Sequence, residues 1–252
     1  MKQEPETRYV HLDSVHNLRS PRVIVPDLIR DLAPRSVVDV GSGIGTFLSV
    51  FIENGIEDVL GVDGSWVDRG KLYTDEKYFV EADLEQPLEL GRRFDLAVCL
   101  EVAEHLKPEA ADTIIASLCS LSDSVVFSAA IPGQGGDNHI NEQPFEYWQE
   151  KFAARGYQYY DIFRDRYWQN DEVDCWYRQN MFLVVHESVE LPPAIAAKKL
   201  NGPALVHVHP LFFEYYSSEA ARQAEVLRDL KTARGLKKLA GKALKKIVRS
   251  PK

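Results

Sequence analysis

Residues 37–46 read VVDVGSGIGT, and this stretch decides the fold. It is an apolar, mostly β-branched run that passes directly into a loop with three glycines in five positions. The run is typical of a buried strand, and glycine lets the backbone turn tightly and approach a ligand closely. A helix is predicted from Thr46, and its first N–H groups would point into the loop. An α/β sheet holds a nucleotide-like cofactor in this way, at the carboxyl ends of its strands.

Short β-branched runs alternate with amphipathic segments on both sides of this loop. The predicted helices cover residues 46–54, 108–121, 145–155 and 218–231. The predicted strands cover residues 36–40, 58–62, 78–82, 94–100, 124–130, 157–163 and 180–186. This alternation predicts an α/β fold of the Rossmann-like kind, with a mostly parallel sheet and helices on both faces.

The glycine loop departs from the dinucleotide fingerprint G-x-G-x-x-G, because Thr46 stands where its last glycine would be. An NAD-dependent dehydrogenase is therefore a distant alternative. Asp63 ends the second predicted strand, where a carboxylate can accept both hydroxyls of a ribose. Asp83 ends the third, where it can accept an adenine amino group while Leu84 offers the ring an apolar side chain. Each Asp alone could be a cap or turn residue, but three strand-end signals in this order favour a cofactor site.

Four segments resemble the successive motifs of class I S-adenosylmethionine (SAM)-dependent methyltransferases: DVGSGIGTF, GVDGS, EADLE and FDLAVCLEVAEHL. The resemblance extends over about residues 23–187 and implies a seven-stranded sheet whose last strand is antiparallel, here with a C-terminal helical extension. It implies that two loop glycines flank the methionine half of SAM and that the strand-end acids bind its adenosine. It also implies that a backbone carbonyl at the end of the fourth strand binds the amino group. The predicted cofactor residues are Asp39, Gly41, Ser42, Gly43, Asp63, Gly64, Asp83, Leu84 and Leu100.

The segment after the fourth strand carries candidates for the chemistry. If it is helical, Glu101, Glu104 and His105 share one face. A second polar run, residues 135–144, carries His139 after the fifth strand, and the fold would put both segments over the same crevice.

Two interpretations of this cluster stay open. In the first, His105 or His139 is a general base for a hydroxyl acceptor, and Glu101 is a further catalytic residue or orients SAM. In the second, Glu101, Glu104, His105 and His139 bind a divalent cation such as Mn²⁺, Co²⁺, Zn²⁺ or Mg²⁺. The cation would orient the acceptor and lower the pKa of its hydroxyl.

Two further resemblances bear on the acceptor. The E-x-x-E-H run with a downstream His is similar to the metal motif of small-RNA 2′-O-methyltransferases and of some ubiquinone-pathway O-methyltransferases. The runs DNHINEQ at 137–143 and WYRQN at 176–180, with Tyr147 and Trp148, resemble methyltransferases encoded among polysaccharide and sugar-biosynthesis enzymes. The second resemblance implies a sugar acceptor, and aromatic faces suit sugar rings.

The predicted activity is therefore SAM-dependent methyl transfer to an oxygen of a small polar acceptor, a sugar or glycan-biosynthesis intermediate. One alternative is an RNA 2′-O-methyltransferase with a metal-assisted mechanism. Another is a non-catalytic SAM-binding partner protein.

The charge of the chain is uneven, although its net value is −8. Residues 231–252 hold nine basic and no acidic residues, which leaves 21 basic against 38 acidic residues in the rest. Such an acidic body is a poor surface for nucleic acid, so no nucleic-acid partner is expected. The apolar residues between Leu236 and Val248 recur on one helix face with lysines opposite. This pattern predicts a basic amphipathic helix that lies on an anionic membrane surface or docks on the acidic body.

Three parts are predicted: a methyltransferase domain over residues 1–187, a cover or linker segment with a helix over 188–230, and the basic helix over 231–252. No stretch approaches the roughly 18 apolar residues of a membrane span, and the charged N-terminus is unlike a signal peptide. The three cysteines, Cys99, Cys119 and Cys175, lack a C-x-x-C spacing and favour reduced thiols. The expected location is the cytoplasm, with the tail able to reach the inner face of the membrane.

Overall fold

The computed structural model describes residues 16–230. The chain forms two compact units that divide between His207 and Val208. The predicted basic helix over 231–252 lies outside the described residues and stays a prediction, as do the predicted part boundaries. None of the helices among the described residues is long and apolar enough to cross a membrane.

The first unit is built on a seven-stranded sheet in the order β3-β2-β1-β4-β5-β7-β6. All neighbours from β3 to β5 pair in parallel, whereas β7 is antiparallel to both β5 and β6. This confirms the predicted sheet and its antiparallel last strand. The strands are β1 Ser36–Val40, β2 Asp58–Asp63, β3 Phe79–Glu81, β4 Leu96–Leu100, β5 Ser124–Ser128, β6 Tyr157–Tyr160 and β7 Phe182–His186.

Helices cover the sheet and connect its strands. The α-helices are α1 Arg19–Leu32, α2 Thr46–Glu53, α3 Ala111–Leu121, α4 Phe145–Ala153, α5 Arg164–Tyr167, α6 Cys175–Asn180 and α7 Pro193–Ala196, with α8 Pro210–Leu230 in the second unit. Single 3₁₀ turns cover Arg69–Lys71, Glu76–Tyr78, Ala103–His105 and Pro108–Ala110.

The hydrophobic core lies in two layers, one on each face of the sheet. One layer contains Ile114, Phe127, Trp148 and Phe152, and the other contains Ile24, which lies in α1. Every residue of β1 and β4 is buried. This is why both strands appear in the sequence as continuous apolar runs, since a parallel sheet is covered on both faces.

Several predicted elements differ from the observed ones at their ends. The strands expected to reach residues 130 and 163 end at Ser128 and Tyr160, because the chain leaves the sheet there. The strand expected from residue 180 begins at Phe182, because residues 175–180 form α6. The short helices α5 to α7 were not predicted, since four to six residues are too few to show a helical period. The helix predicted from residue 218 begins earlier, at Pro210, whose missing N–H suits a first turn.

We predict that Phe152→Ala lowers the free energy of unfolding by about 3–5 kcal/mol, the usual cost of a large core cavity. Phe152 is fully buried and its ring contacts those of Phe127, Tyr157 and Tyr159. Tyr73→Ala is the matched control, because Tyr73 is 45% exposed. Urea unfolding of both variants measures the difference, and equal losses would contradict this assignment of the core.

Candidate active site

The glycine loop between β1 and α2 approaches the segment after β4 very closely. Gly41, Gly43 and Gly45 have φ values of 81°, 53° and 78°, which side chains rarely allow. A Cβ on Gly41 would lie 2.2 Å from a methyl group of Val102. The loop therefore packs directly on the start of the segment EVAEHL, residues 101–106. Only glycine permits this contact.

Two buried carboxyl groups lie under this loop. Asp63, at the end of β2, accepts hydrogen bonds from the backbone N–H groups of Gly43 at 2.7 Å and Gly64 at 2.6 Å. Burial nevertheless raises the pKa of Asp63 to about 6. Burial, with a smaller contribution from Asp63, raises the pKa of Asp39 to about 8. The hydrogen bond from Gly43 thus joins the glycine loop to Asp63, the acid that the sequence assigned to the cofactor ribose.

Of the remaining predicted cofactor residues, Leu84 is the one whose side chain does not lie where the sequence predicted. Ser42 is buried, and its Oγ has no hydrogen-bond partner among the described residues. Asp83 follows β3, is exposed and accepts a hydrogen bond from the backbone N–H of Glu85, as a turn residue does. Leu84 was expected to face the adenine ring, but its side chain is 2% exposed and packs in the core. Leu100 ends β4, as predicted.

The EVAEHL segment is not one helix. Glu101 has a left-handed φ of 54°, and only Ala103–His105 form a 3₁₀ turn. The backbone N–H of Glu101 is held by the carbonyl and hydroxyl oxygens of Ser128 on β5. The chain therefore turns sharply at the end of β4, and Glu101 leaves the helix face that the sequence assigned to it.

Glu104 is the most buried acid of the site. Its Oε1 accepts the backbone N–H of Ala130 at 3.1 Å, while its Oε2 has no hydrogen-bond partner in residues 16–230. Burial, and then the neighbouring Glu101 carboxyl, raise the pKa of Glu104 well above its usual range. The backbone carbonyl of Glu104 accepts the N–H groups of Ile140 and Asn141. These two bonds place the polar run 135–144 against the segment after β4, as the sequence predicted.

Two imidazoles meet beside Glu104. The rings of His105 and His139 are edge-to-face, with centroids 4.9 Å apart. Burial, and then His139, lower the pKa of His105 to about 4, so His105 is neutral at neutral pH. Glu104, His105 and His139 each bring one potential ligand atom to within 4.8 Å of the others. The structure thus unites three of the four predicted metal ligands.

Glu142 orients His139. Its Oε1 lies 2.9 Å from Nδ1 of His139, and its two oxygens also accept the N–H groups of Gly133 and Gly135 at 2.7 Å. With Nδ1 held by a carboxylate, Nε2 is the nitrogen left for a proton or a metal. A Cβ on Gly136 would lie 2.3 Å from that Nε2, so any other residue there would displace the His139 ring.

Glu101 is not one of the three potential ligands: its carboxyl neighbours that of Glu104 but is held by amide side chains. Asn180 Nδ2 donates to both of its carboxylate oxygens at 3.1 Å, and Gln134 Nε2 donates at 3.2 Å. Gln134 Oε1 in turn accepts from Asn180 and from Gln179. The sequence did not single out these amides or the role of Glu142. The run WYRQN was noted only for its resemblance, and a lone Gln in a loop carries no signal.

The fold and this site define a class I SAM-dependent methyltransferase. The sequence profile of the methyltransferase-domain family matches residues 16–173, so the chain belongs to that family. No curated protein sequence matches the chain.

Solved structures agree with the fold. The sugar N-methyltransferase KedS8 from a Streptoalloteichus species has a TM-score of 0.52 and 16% identity over 74% of this chain and 98% of its own. DesVI from Streptomyces venezuelae has a TM-score of 0.51 and 15% identity over 69% and 93%. The methyltransferase domain of bacterial CtHen1-C has a TM-score of 0.51 and 18% identity over 68% and 99%. At these identities the likeness shows the fold alone.

We predict that Asp39→Asn stabilises the protein more at pH 8 than at pH 5. Folding raises the pKa of this carboxyl from 3.8 to about 8, so the folded state holds a proton that the unfolded state has lost. Stability therefore falls as pH rises through this interval, and Asn removes that loss. Urea unfolding at both pH values measures it, with Glu57→Gln on the surface as control. A stabilisation that does not grow with pH would contradict the prediction.

Proposed function

We propose that this enzyme transfers the methyl group of SAM to a hydroxyl oxygen of a small polar acceptor, a sugar or glycan-biosynthesis intermediate. One observation carries the proposal: the His139 imidazole is held through Nδ1 by Glu142 and lies against His105. A histidine oriented in this way by a carboxylate is suited to accept a proton from a hydroxyl.

The residues of the glycine loop suit SAM. The buried Ser42 Oγ has no hydrogen-bond partner within residues 16–230, and Asp63 accepts a hydrogen bond from the Gly43 N–H. Gly41, Gly43 and Gly45 all have positive φ values, so the loop makes tight turns that other residues rarely allow. SAM bound there supplies a methyl group on a positively charged sulfur. The enzyme's own contribution is to hold the acceptor in line with that methyl group and close to it.

The proton of the acceptor is assigned to His139. As the new C–O bond forms, the C–S bond breaks and its electron pair stays on sulfur. The hydroxyl proton passes to Nε2 of His139, and the products are a methyl ether, S-adenosylhomocysteine (SAH) and a protonated imidazole. Glu142 stabilises that imidazolium through Nδ1–H, and the neutral His105 does not oppose its charge.

The sugar class is supported by one aromatic side chain, that of Trp176, and by resemblance. Trp176 is partly exposed at the start of α6, the helix whose last residue binds Glu101. An aromatic face of this kind suits a sugar ring. Trp148 lies in the core, and Asn141 and Gln143 bind each other or the backbone, so these residues support the loop rather than the acceptor. KedS8, which shares the fold, is a sugar methyltransferase that acts on nitrogen.

We expect His139→Ala to lower methyl transfer by about 10²–10⁴-fold, the usual contribution of a general base, and to leave SAH affinity within about twofold. Asp63→Ala is the matched contrast and should lose SAH binding. Transfer of labelled methyl from SAM to a panel of sugar nucleotides and glycan intermediates measures the first effect, and calorimetry the second. Full activity in His139→Ala, or methylation of an amine in place of a hydroxyl, would refute the proposed reaction.

The same cluster suits a divalent cation, which is a second form of the mechanism. The observation that favours it is the buried Oε2 of Glu104, which accepts no N–H within residues 16–230 and lies beside two imidazoles and the Glu101 carboxyl. The carboxylate behind His139 is also what a metal-bound histidine usually has. A cation there would polarise the acceptor hydroxyl. Glu104, His105 and His139 would hold it, whereas Glu101 is engaged by amides.

Calorimetric titration with Mn²⁺ tests this form. If the cation belongs to the mechanism, the wild type binds Mn²⁺, and Glu104→Gln weakens binding by at least about tenfold through loss of a charged ligand. Glu109→Gln, on the exposed turn nearby, is the control. The absence of a wild-type isotherm, with methyl transfer unaffected by EDTA, would reject the cation and leave His139 as the base.

A further inference from the structure

We propose that Glu101 is the counter-charge of the SAM sulfonium and lets the site distinguish SAM from its product SAH. The proposal rests on the SAM-dependent activity. It also rests on the proposed place of methyl transfer, between the glycine loop and the cluster of Glu104, His105 and His139. It does not depend on the acceptor's identity.

Glu101 is arranged as a hydrogen-bond acceptor. The side-chain amide nitrogens of Asn180 and Gln134 can only donate, and together they reach both carboxylate oxygens. They are themselves fixed, because Gln134 Oε1 accepts from Asn180 at 2.9 Å and from Gln179 at 3.1 Å. Two buried amides thus hold the carboxylate in a single orientation, and a third, that of Gln179, supports them.

This carboxylate has no full cationic partner within the described residues. No lysine or arginine of residues 16–230 forms an ion pair with it. Burial raises the pKa of Glu101, and hydrogen bonds from Ser128, Asn180 and Gln134 favour its ionised form. Amide hydrogen bonds only partly offset the removal of a carboxylate from water, and a buried charge is ordinarily paired. A cationic ligand would complete the site.

Glu101 lies where the sulfonium is expected. It directly follows Leu100 at the end of β4, and the next residue, Val102, packs on Gly41 of the cofactor loop. On its other side the Glu101 carboxyl neighbours Glu104, which lies with His105 and His139 in the second cluster of the site. Glu101 is therefore placed between the cofactor loop and the proposed acceptor side, which is the place of the transferred methyl group.

The backbone supports the same assignment. A φ of 54° is costly for a residue with a side chain, and such strain is retained where the surroundings impose it. Here two bonds from the Glu101 N–H to Ser128 impose it. The strained turn directs the residue into the amide network instead of onto the helix face of Glu104 and His105.

The charge has a consequence for turnover. SAM carries a sulfonium, and SAH, after methyl transfer, is an uncharged thioether at the same atom. Attraction to Glu101 acts on the reactant and is absent from the product. The site would thereby favour exchange of SAH for SAM.

Calorimetric binding of three ligands tests the proposal without an acceptor: SAM, SAH, and sinefungin, which carries a protonated amine in place of the sulfonium. In Glu101→Gln we expect SAM and sinefungin to bind about tenfold more weakly, the size of one lost charge-assisted contact, and SAH to change by less than about twofold. Gln keeps the shape of the side chain, and its Oε1 can still accept from Asn180.

Two further variants separate charge from structure. Glu101→Asp and Asn180→Ala keep the negative charge, so each should preserve the wild-type ratio of SAM to SAH affinity within about threefold even if both affinities fall. Equal weakening of all three ligands by Glu101→Gln, no weakening at all, or loss of the ratio in the charge-retaining variants would overturn the proposal. Failure to methylate any hydroxyl would refute the proposed acceptor chemistry and leave these binding results unaffected.

Discussion

The contact between Gly41 and Val102 is the constraint on which the rest of the site depends. The Val102 side chain packs directly on the Gly41 backbone, and any side chain at position 41 would collide with it. The cofactor loop and the segment after β4 therefore lie in contact. That contact brings the loop, with Asp39 and Asp63 beneath it, to the same edge of the sheet as Glu101. A parallel sheet makes this possible, because its strands all end at one edge.

This edge holds four carboxyl groups that are buried or partly buried. Asp39, Asp63, Glu101 and Glu104 all have pKa values raised by burial. The hydrogen bonds that Asp63, Glu101 and Glu104 accept from N–H groups come from the backbone and from neutral side chains. Burying them lowers the stability of the protein alone. Such a site is suited to ligands that carry positive charge, and SAM is one.

Most of the scaffold could be predicted from local pattern. β-branched runs marked the strands, glycines marked the cofactor loop, and acids at strand ends marked the edge where ligands bind. The failures were local as well. Leu84 follows Asp83 in sequence but turns into the core, and Glu101 has a left-handed backbone that breaks the expected helix face. A periodicity argument assumes regular backbone geometry, so it fails where one residue departs from it.

The sequence by itself determined the fold class, the cofactor edge and the residue types available for chemistry, because strand and turn preferences act between near neighbours. The tertiary structure alone decided how those residues are paired. Asn180 reaches Glu101 across 79 positions, and Glu104 meets His139 because its carbonyl binds the backbone of Ile140 and Asn141. Such pairings arise from the packing of whole elements, for which a single sequence has no local signal. Because of these pairings, Glu101 is held by amide side chains and Glu104 lies beside the two imidazoles. The E-x-x-E-H pattern alone does not show that its two glutamates have different partners.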